Sequence, residues 1–198
     1  HIISGLTILG EQDEVGLFGT VGSGAVIRGL HLIGGQIYGG NAVGGIAGRN
    51  SGLIQGCSFR GTVEAAGEDA GGICGVLGGT QTPAASDEVS QVPRPTQEEL
   101  EGAKGGRLLQ CAANVQLLGH ARIGGLVGTV EGEAVVADCY ALGSVTAVEG
   151  GETPNSIGGL AGEVSGYVTR SYVSIEVFTK VSSRLVGGLV GLVNRGAV

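Results

Sequence analysis

Gly124-Gly125-Leu126-Val127-Gly128, followed by Val136, Cys139 and Val145, states a phrase that returns along most of this chain. Gly44-Gly45-Ile46-Ala47-Gly48 leads to Ile54, Cys57 and Val63, and Gly158-Gly159-Leu160-Ala161-Gly162 leads to Val168, Ser171 and Val177. Gly71-Gly72-Ile73-Cys74-Gly75 and Gly187-Gly188-Leu189-Val190-Gly191 repeat the opening, and Val15-Gly16-Leu17-Phe18-Gly19 varies it. The apolar residue after the glycines therefore falls at Leu17, Ile46, Ile73, Leu126, Leu160 and Leu189. These are spaced by 29, 27, 53, 34 and 29 residues. Periods of about 20–50 residues mark stacked repeats, each too small to bury its own core.

Within each repeat the apolar residues alternate. Cys139, Ala141, Gly143 and Val145 interleave with Tyr140, Leu142, Ser144 and Thr146, and Ser171, Val173, Ile175 and Val177 interleave with Tyr172, Ser174 and Glu176. Period 2 is the signature of a strand with one face inward. Short strands between glycines predict about three strands per turn. The glycines are expected to supply positive φ at the corners and close approach between layers. The expected fold is all-β: a right-handed parallel β-helix of about six turns, with about 27–34 residues per turn, spanning 1–198 as a single domain. The inward column should hold Leu17, Ile46, Ile73, Leu126, Leu160 and Leu189. A second inward row should hold Cys57, Cys111, Cys139 and Ser171, with Leu30 before them.

The long interval contains an insertion, 78–106, within the third turn. It carries three of the four prolines, Pro83, Pro93 and Pro95, and its centre lacks apolar periodicity, which reads as loop. Thr96 and Glu99 fit a capping box for a short helix over about 97–103. A long aperiodic loop on a regular frame is a candidate for partner binding, with Arg94, Glu98 and Glu99 as candidate contacts.

Composition narrows the function. The chain has 42 glycines and a formal net charge of −7; ordinary glycine usage is about 7%, and no G-X-Y period is present. An acidic surface repels phosphate, so nucleic acid is not an expected partner. No apolar run reaches the roughly 18 residues of a membrane span, so this segment is not expected to insert into a membrane. The phrase is entered and left mid-repeat, which reads as a fragment of a longer protein. The three cysteines in one row suggest a ladder of small buried thiols, because zinc wants ligands converging from several directions. Acids before several glycine pairs (Glu11, Asp13 and Glu14; Glu68 and Asp69; Glu149 and Glu152) read as solvated corners. Calcium, which needs six to eight oxygens, is the one cofactor weighed against that, and none is expected. His31 and His120 fall at different phases of the repeat. Thr62 and Thr146 are read as sharing a repeat position, which Glu176 interrupts, so no threonine array forms.

These phrases resemble the GLUG motif, named for its glycine-leucine-glycine core, and the resemblance covers all but the insertion. It implies an exported bacterial protein, extracellular or at the cell surface. The first expectation is therefore a non-catalytic, structural or adhesin-like binding segment whose partner is a host or extracellular protein or glycan. A second is the accessory β-helix of a secreted IgA1-type zinc metallopeptidase with its catalytic domain elsewhere, since HExxH is missing here. A third, weaker one is a carbohydrate-active β-helix. The resemblance carries over no catalytic or metal-binding residue.

Overall fold

The computed structural model describes residues 1–79, 105–149, 155–179 and 184–196, together with Val198. The predicted helix at 97–103, with Arg94, Glu98 and Glu99, lies outside them, as does Glu152.

The chain coils through five turns and most of a sixth. The first turn comprises β1 (Ile2–Ser4), β2 (Thr7–Leu9), β3 (Phe18–Val21) and β4 (Val26–Arg28). The second comprises β5 (His31–Gly39), β6 (Val43–Gly44), β7 (Ala47–Asn50) and β8 (Leu53–Gln55). The third comprises β9 (Ser58–Ala65), β10 (Glu68–Gly71), β11 (Cys74–Leu77) and β12 (Arg107–Leu109). The fourth comprises β13 (Ala112–Gly119), β14 (Ala121–Gly124), β15 (Val127–Val130) and β16 (Val135–Ala137). The fifth comprises β17 (Tyr140–Ala147), β18 (Asn155–Gly158), β19 (Ala161–Val164) and β20 (Tyr167–Thr169). The sixth begins with β21 (Tyr172–Thr179), β22 (Arg184–Gly187) and β23 (Val190–Val193). Each strand pairs in parallel with its counterparts one turn away, giving a solenoid with four faces: a seven-stranded sheet of long strands, and sheets of five, six and five short ones.

Four strands per turn replace the expected three. The glycine phrase does not sit between strands as one corner unit but is divided by a corner. Gly124 ends β14 and Val127 begins β15, so the chain bends at Gly125-Leu126 and drives Leu126 into the core with no exposure. Of the two roles expected of the glycines, close approach between layers holds for the phrase and positive φ does not, because none of the phrase's glycines has a positive φ. What they provide is contact between backbones. A Cβ on Gly125 would lie 2.4 Å from the Gly159 carbonyl oxygen of the next turn, and one on Gly128 would lie 2.6 Å from the Gly75 carbonyl of the turn before. Contacts that short exclude any side chain.

The left-handed corners lie elsewhere, and ordinary residues fill most of them. One column contains Glu14, Ala42, Asp69 and Arg122; another contains Gly29, Gly56, Gln110, Asp138 and Arg170, all with φ between 45° and 62°. Left-handed backbone is disfavoured for residues with a Cβ, so stacking against neighbouring turns must hold these conformations in place.

The main core is a continuous apolar column through the turns, and Val135 and Ala137 form a small separate buried cluster with Leu109 and Tyr167. Residues of unequal size share it by compensation. Phe59 occupies the space that a Cβ on Gly35 or Gly45 would enter, and Ile175 fills the space beside Gly125. The strand register corrects one sequence expectation. Thr62 lies opposite Gln116 and Gln116 opposite Ser144, so Thr146 belongs to the next outward row, with Leu118 and Phe178. The two threonines do not share a position, and Glu176 follows Ser144 in Thr62's row.

Candidate functional site

The longest uninterrupted surface is the outer side of the long-stranded sheet. Strands of about eight residues give it several outward rows, where the other faces have room for one or two. Parallel strands stack about 4.8 Å apart, so each outward row repeats at that interval along the solenoid axis. One row runs Gln36, Thr62, Gln116 and Ser144; its neighbour runs Leu9, Tyr38, Glu64, Leu118 and Thr146. Between them lies a groove of about 400 Å³ that spans the first five turns. Its polar lining is amide and hydroxyl, with Glu64 as its acid, while Tyr38 and Leu118 provide apolar surface. Amides and hydroxyls both donate and accept hydrogen bonds. Such a lining suits an extended ligand that is polar and largely uncharged.

The cysteine row forms a hydrogen-bonded ladder. Cys57, Cys111 and Cys139 are buried free thiols, and each donates to the carbonyl two residues before it: Gln55 at 3.3 Å, Leu109 at 3.4 Å and Ala137 at 3.1 Å. Ser171, half-buried, repeats the bond to the Thr169 carbonyl at 2.9 Å. Successive rungs also join, because the Cys111 amide donates to the Cys139 sulfur at 3.3 Å and the Cys139 amide to the Ser171 hydroxyl at 3.1 Å. A side-chain interaction with Cys139, together with burial, pushes the Cys111 thiol well above its ordinary range, and burial also raises the Cys57 and Cys74 thiols. Thiols held protonated in this way are poor nucleophiles and poor metal ligands. The ladder shapes a corner.

The acidic corners carry ion pairs. Arg122 donates through Nε to Asp69 Oδ1 at 2.8 Å and through a terminal nitrogen to Asp69 Oδ2 at 2.8 Å, and it also contacts Glu68. Thr129 donates to the same Asp69 carboxylate. Arg49 joins Glu14 at 3.2 Å and Glu131 at 3.4 Å. Arg170 forks onto Asp138 at 2.6 and 2.8 Å, which holds the Asp138 carboxyl below its usual range. Asp13 accepts from the Asn41 amide at 2.8 Å. Burial raises Glu163 despite the nearby Arg122. Among the described residues, no three of His, Cys, Asp and Glu converge in a way that could hold a metal ion.

Of the sequence-predicted residues, Ile46, Ile73, Leu126 and Leu160 are buried, whereas Leu17 and Leu189, in the end turns, are only partly so. His31 faces Ser58 at 2.8 Å on the exposed side of the long sheet, and His120 is half-buried at a corner. Apart from Thr62, Ser144 and Thr146, the outward groove residues were not singled out from the sequence, and neither were the arginine partners. A signal for the latter exists: Asp69 and Arg122 each stand two residues before a glycine pair, and Asp138 and Arg170 each directly precede the Cys/Ser rung. Aligning the phrases places each arginine one turn above its acid.

Comparison with known families matches the GLUG motif at residues 39–64 and 119–146, so the chain carries GLUG repeats wound as a β-helix. The first match runs from the end of β5 through most of β9, the second from the end of β13 through most of β17. No curated protein and no solved structure matches the chain.

Proposed function

We propose that this β-helix is a non-catalytic, adhesin-like binding segment of an exported bacterial surface protein, and that the groove on its long-stranded sheet is the ligand face. The observation that carries this reading is the repetition of one uncharged polar row, Gln36, Thr62, Gln116 and Ser144, across four successive turns of a rigid frame. A repeating row matches an extended ligand better than a compact one, because each turn offers an equivalent contact. The acids nearest the glycine phrases are engaged by arginines, which supports a frame-building role for them. The GLUG repeats support the assignment to large surface proteins.

The test has two parts. The chain is immobilised and screened against neutral polysaccharides and extracellular-matrix proteins, then rescreened as Gln116→Lys, which places a cation in the centre of the groove. The expected result is a binder whose signal falls at least tenfold in the variant, an effect of about 1.4 kcal/mol, while the urea midpoint is unchanged. A binder indifferent to the variant, or no binder across the panel, would contradict the assignment of the groove. Protease treatment of intact source cells addresses location: loss of the chain without lysis is expected, and protection until lysis would refute surface display.

A further inference from the structure

The lining of the groove selects among the ligands that could occupy it. Its two outward rows lie two residues apart along each strand, about 6.6 Å. One presents Gln36, Thr62, Gln116 and Ser144; the other presents Tyr38, Glu64, Leu118 and Thr146. All lie in the second to fifth turns, which have a further turn on either side. None of these side chains has a hydrogen-bond or ion-pair partner among the described residues. That sets Glu64 apart from the acids at the corners, where Glu14, Glu68, Asp69 and Asp138 are held by arginines. Glu64 stands between two apolar surfaces in its row, with Tyr38 one turn before it and Leu118 one turn after.

This arrangement sets four conditions. An ionised carboxylate only accepts hydrogen bonds, so the ligand must carry donors opposite Glu64. It must offer apolar surface to Tyr38 and Leu118, and both donors and acceptors to the amide and hydroxyl row. It must carry no anion there, because Glu64 and a net charge of −7 would repel one. Finally, it must repeat in step with the turns, at about 4.8 Å.

An extended peptide fails the last condition. It rises about 3.3 Å per residue, so its amides drift out of step with the rows. Peptides that add to sheets do so at an edge, through main-chain hydrogen bonds, and the groove lies on a face. A chain of pyranose sugars meets all four conditions. Each ring has C–H faces and a hydroxyl rim, and linkage across the ring advances the chain by close to one strand spacing per sugar.

We propose that the ligand is a neutral, unbranched glycan lying along the solenoid axis, one sugar to each turn. Glu64 anchors it by accepting from ring hydroxyls, and Tyr38 gives the neighbouring sugar an apolar platform. This rests on the assignment of the groove as the ligand face. Hydrogen bonds to an ionised acceptor are roughly twice as strong as neutral ones, so Glu64 is the strongest single polar contact in the groove. An aromatic ring supplies a large apolar area with a polar tip, which suits a sugar face bordered by hydroxyls.

Isothermal titration calorimetry on the full chain tests this. The probes are neutral oligosaccharides of glucose, mannose or N-acetylglucosamine, joined across the ring and two to six sugars long. One of these series should bind, tightening with each sugar up to four, the number of turns in the amide and hydroxyl row, and little beyond. Oligouronates of the same length should bind at least tenfold more weakly. Glu64→Gln should weaken the neutral series at least tenfold and narrow its margin over the uronates, and Gln116→Lys should weaken it at least tenfold as well. Both side chains are exposed, so neither variant should melt below the wild type. No binding by any of the three series would overturn the proposal. So would a preference for uronates, an affinity independent of length, or an affinity unchanged by Glu64→Gln. The groove is judged separately. A peptide or protein that binds and is lost in Gln116→Lys would leave the groove standing and overturn only the glycan, whereas a glycan indifferent to both variants would remove the ligand from the groove altogether.

Discussion

Two corners of the same turn solve the stacking problem in opposite ways. At the glycine corner, Gly124-Gly125-Leu126, backbone lies on backbone, and an added Cβ would penetrate the next turn at both glycines. At the cysteine corner, the side chain itself bridges the layers, and Leu30, Cys57, Cys111, Cys139 and Ser171 all occupy the position. The first corner is defined by what it excludes, the second by a buried side chain that makes one hydrogen bond in the Cys and Ser rungs and none at Leu30. The glycine corner should therefore be intolerant of single changes, and the cysteine corner should accept them.

The largest effects belong to the glycine corner. Leu126→Asp places a carboxylate at the centre of the core without a partner, costing several kcal/mol, roughly in the range for burying a charged or unpaired polar group. Its urea midpoint should fall steeply, and an unchanged midpoint would remove Leu126 from the core. Gly125→Ala sets a methyl 2.2 Å from Ile175 Cδ1 and 2.4 Å from the Gly159 carbonyl, an overpacking of about 1–3 kcal/mol. The same change at Gly188, where no described atom lies within 4 Å, should cost less than about 0.5 kcal/mol. Equal losses at the two positions would mean that the glycines act through backbone flexibility and not through contact between turns.

A smaller loss is expected where a left-handed corner carries an ion pair. Arg122→Gln removes the cation shared by Glu68 and Asp69 in a partly buried corner and should cost about 1–3 kcal/mol, the range for losing hydrogen bonds between charged groups. Adding Asp69→Asn should recover part of it, since one of the two carboxylate charges is then removed; a fully additive double variant would deny that the two side chains are coupled. The smallest change is expected at the cysteine corner. Cys139→Ser should shift stability by about 1 kcal/mol or less, because Ser171 already makes the equivalent bond one turn on. In the native chain, alkylating reagents should leave Cys57, Cys74 and Cys111 unmodified until denaturant is added. Rapid native labelling would place those thiols at the surface.

The sequence revealed the glycine corner and obscured most of the rest, for physical reasons. Contact between backbones admits no alternative to glycine, so Gly44, Gly71, Gly124, Gly158 and Gly187 stand out as a written period. The left-handed corners carry no such mark: neighbouring turns hold the conformation, and Glu14, Ala42, Asp69 and Arg122 adopt it without any glycine to flag it. The fourth strand per turn was hidden because the break that creates it lies inside the phrase, at Gly125-Leu126. The groove was hidden because its rows are assembled from residues a turn apart, and one of those steps, Thr62 to Gln116, crosses the insertion. Reading outward positions demands register to the residue, and a slip of two sufficed to put Thr146 in the wrong row.

Each second glycine of the phrase hands its amide to the next turn. The Gly45 amide donates to the Gly72 carbonyl at 3.2 Å, Gly72 to Gly125 at 3.2 Å, and Gly125 to Gly159 at 3.0 Å. Residue-resolved hydrogen exchange measures this directly. The Gly45, Gly72 and Gly125 amides should exchange only through global unfolding, with protection matching that of the core strands. Exchange of Gly72 and Gly125 at the rate of exposed loop amides would contradict layer-on-layer stacking at the glycine corner, and with it the architecture built on that corner.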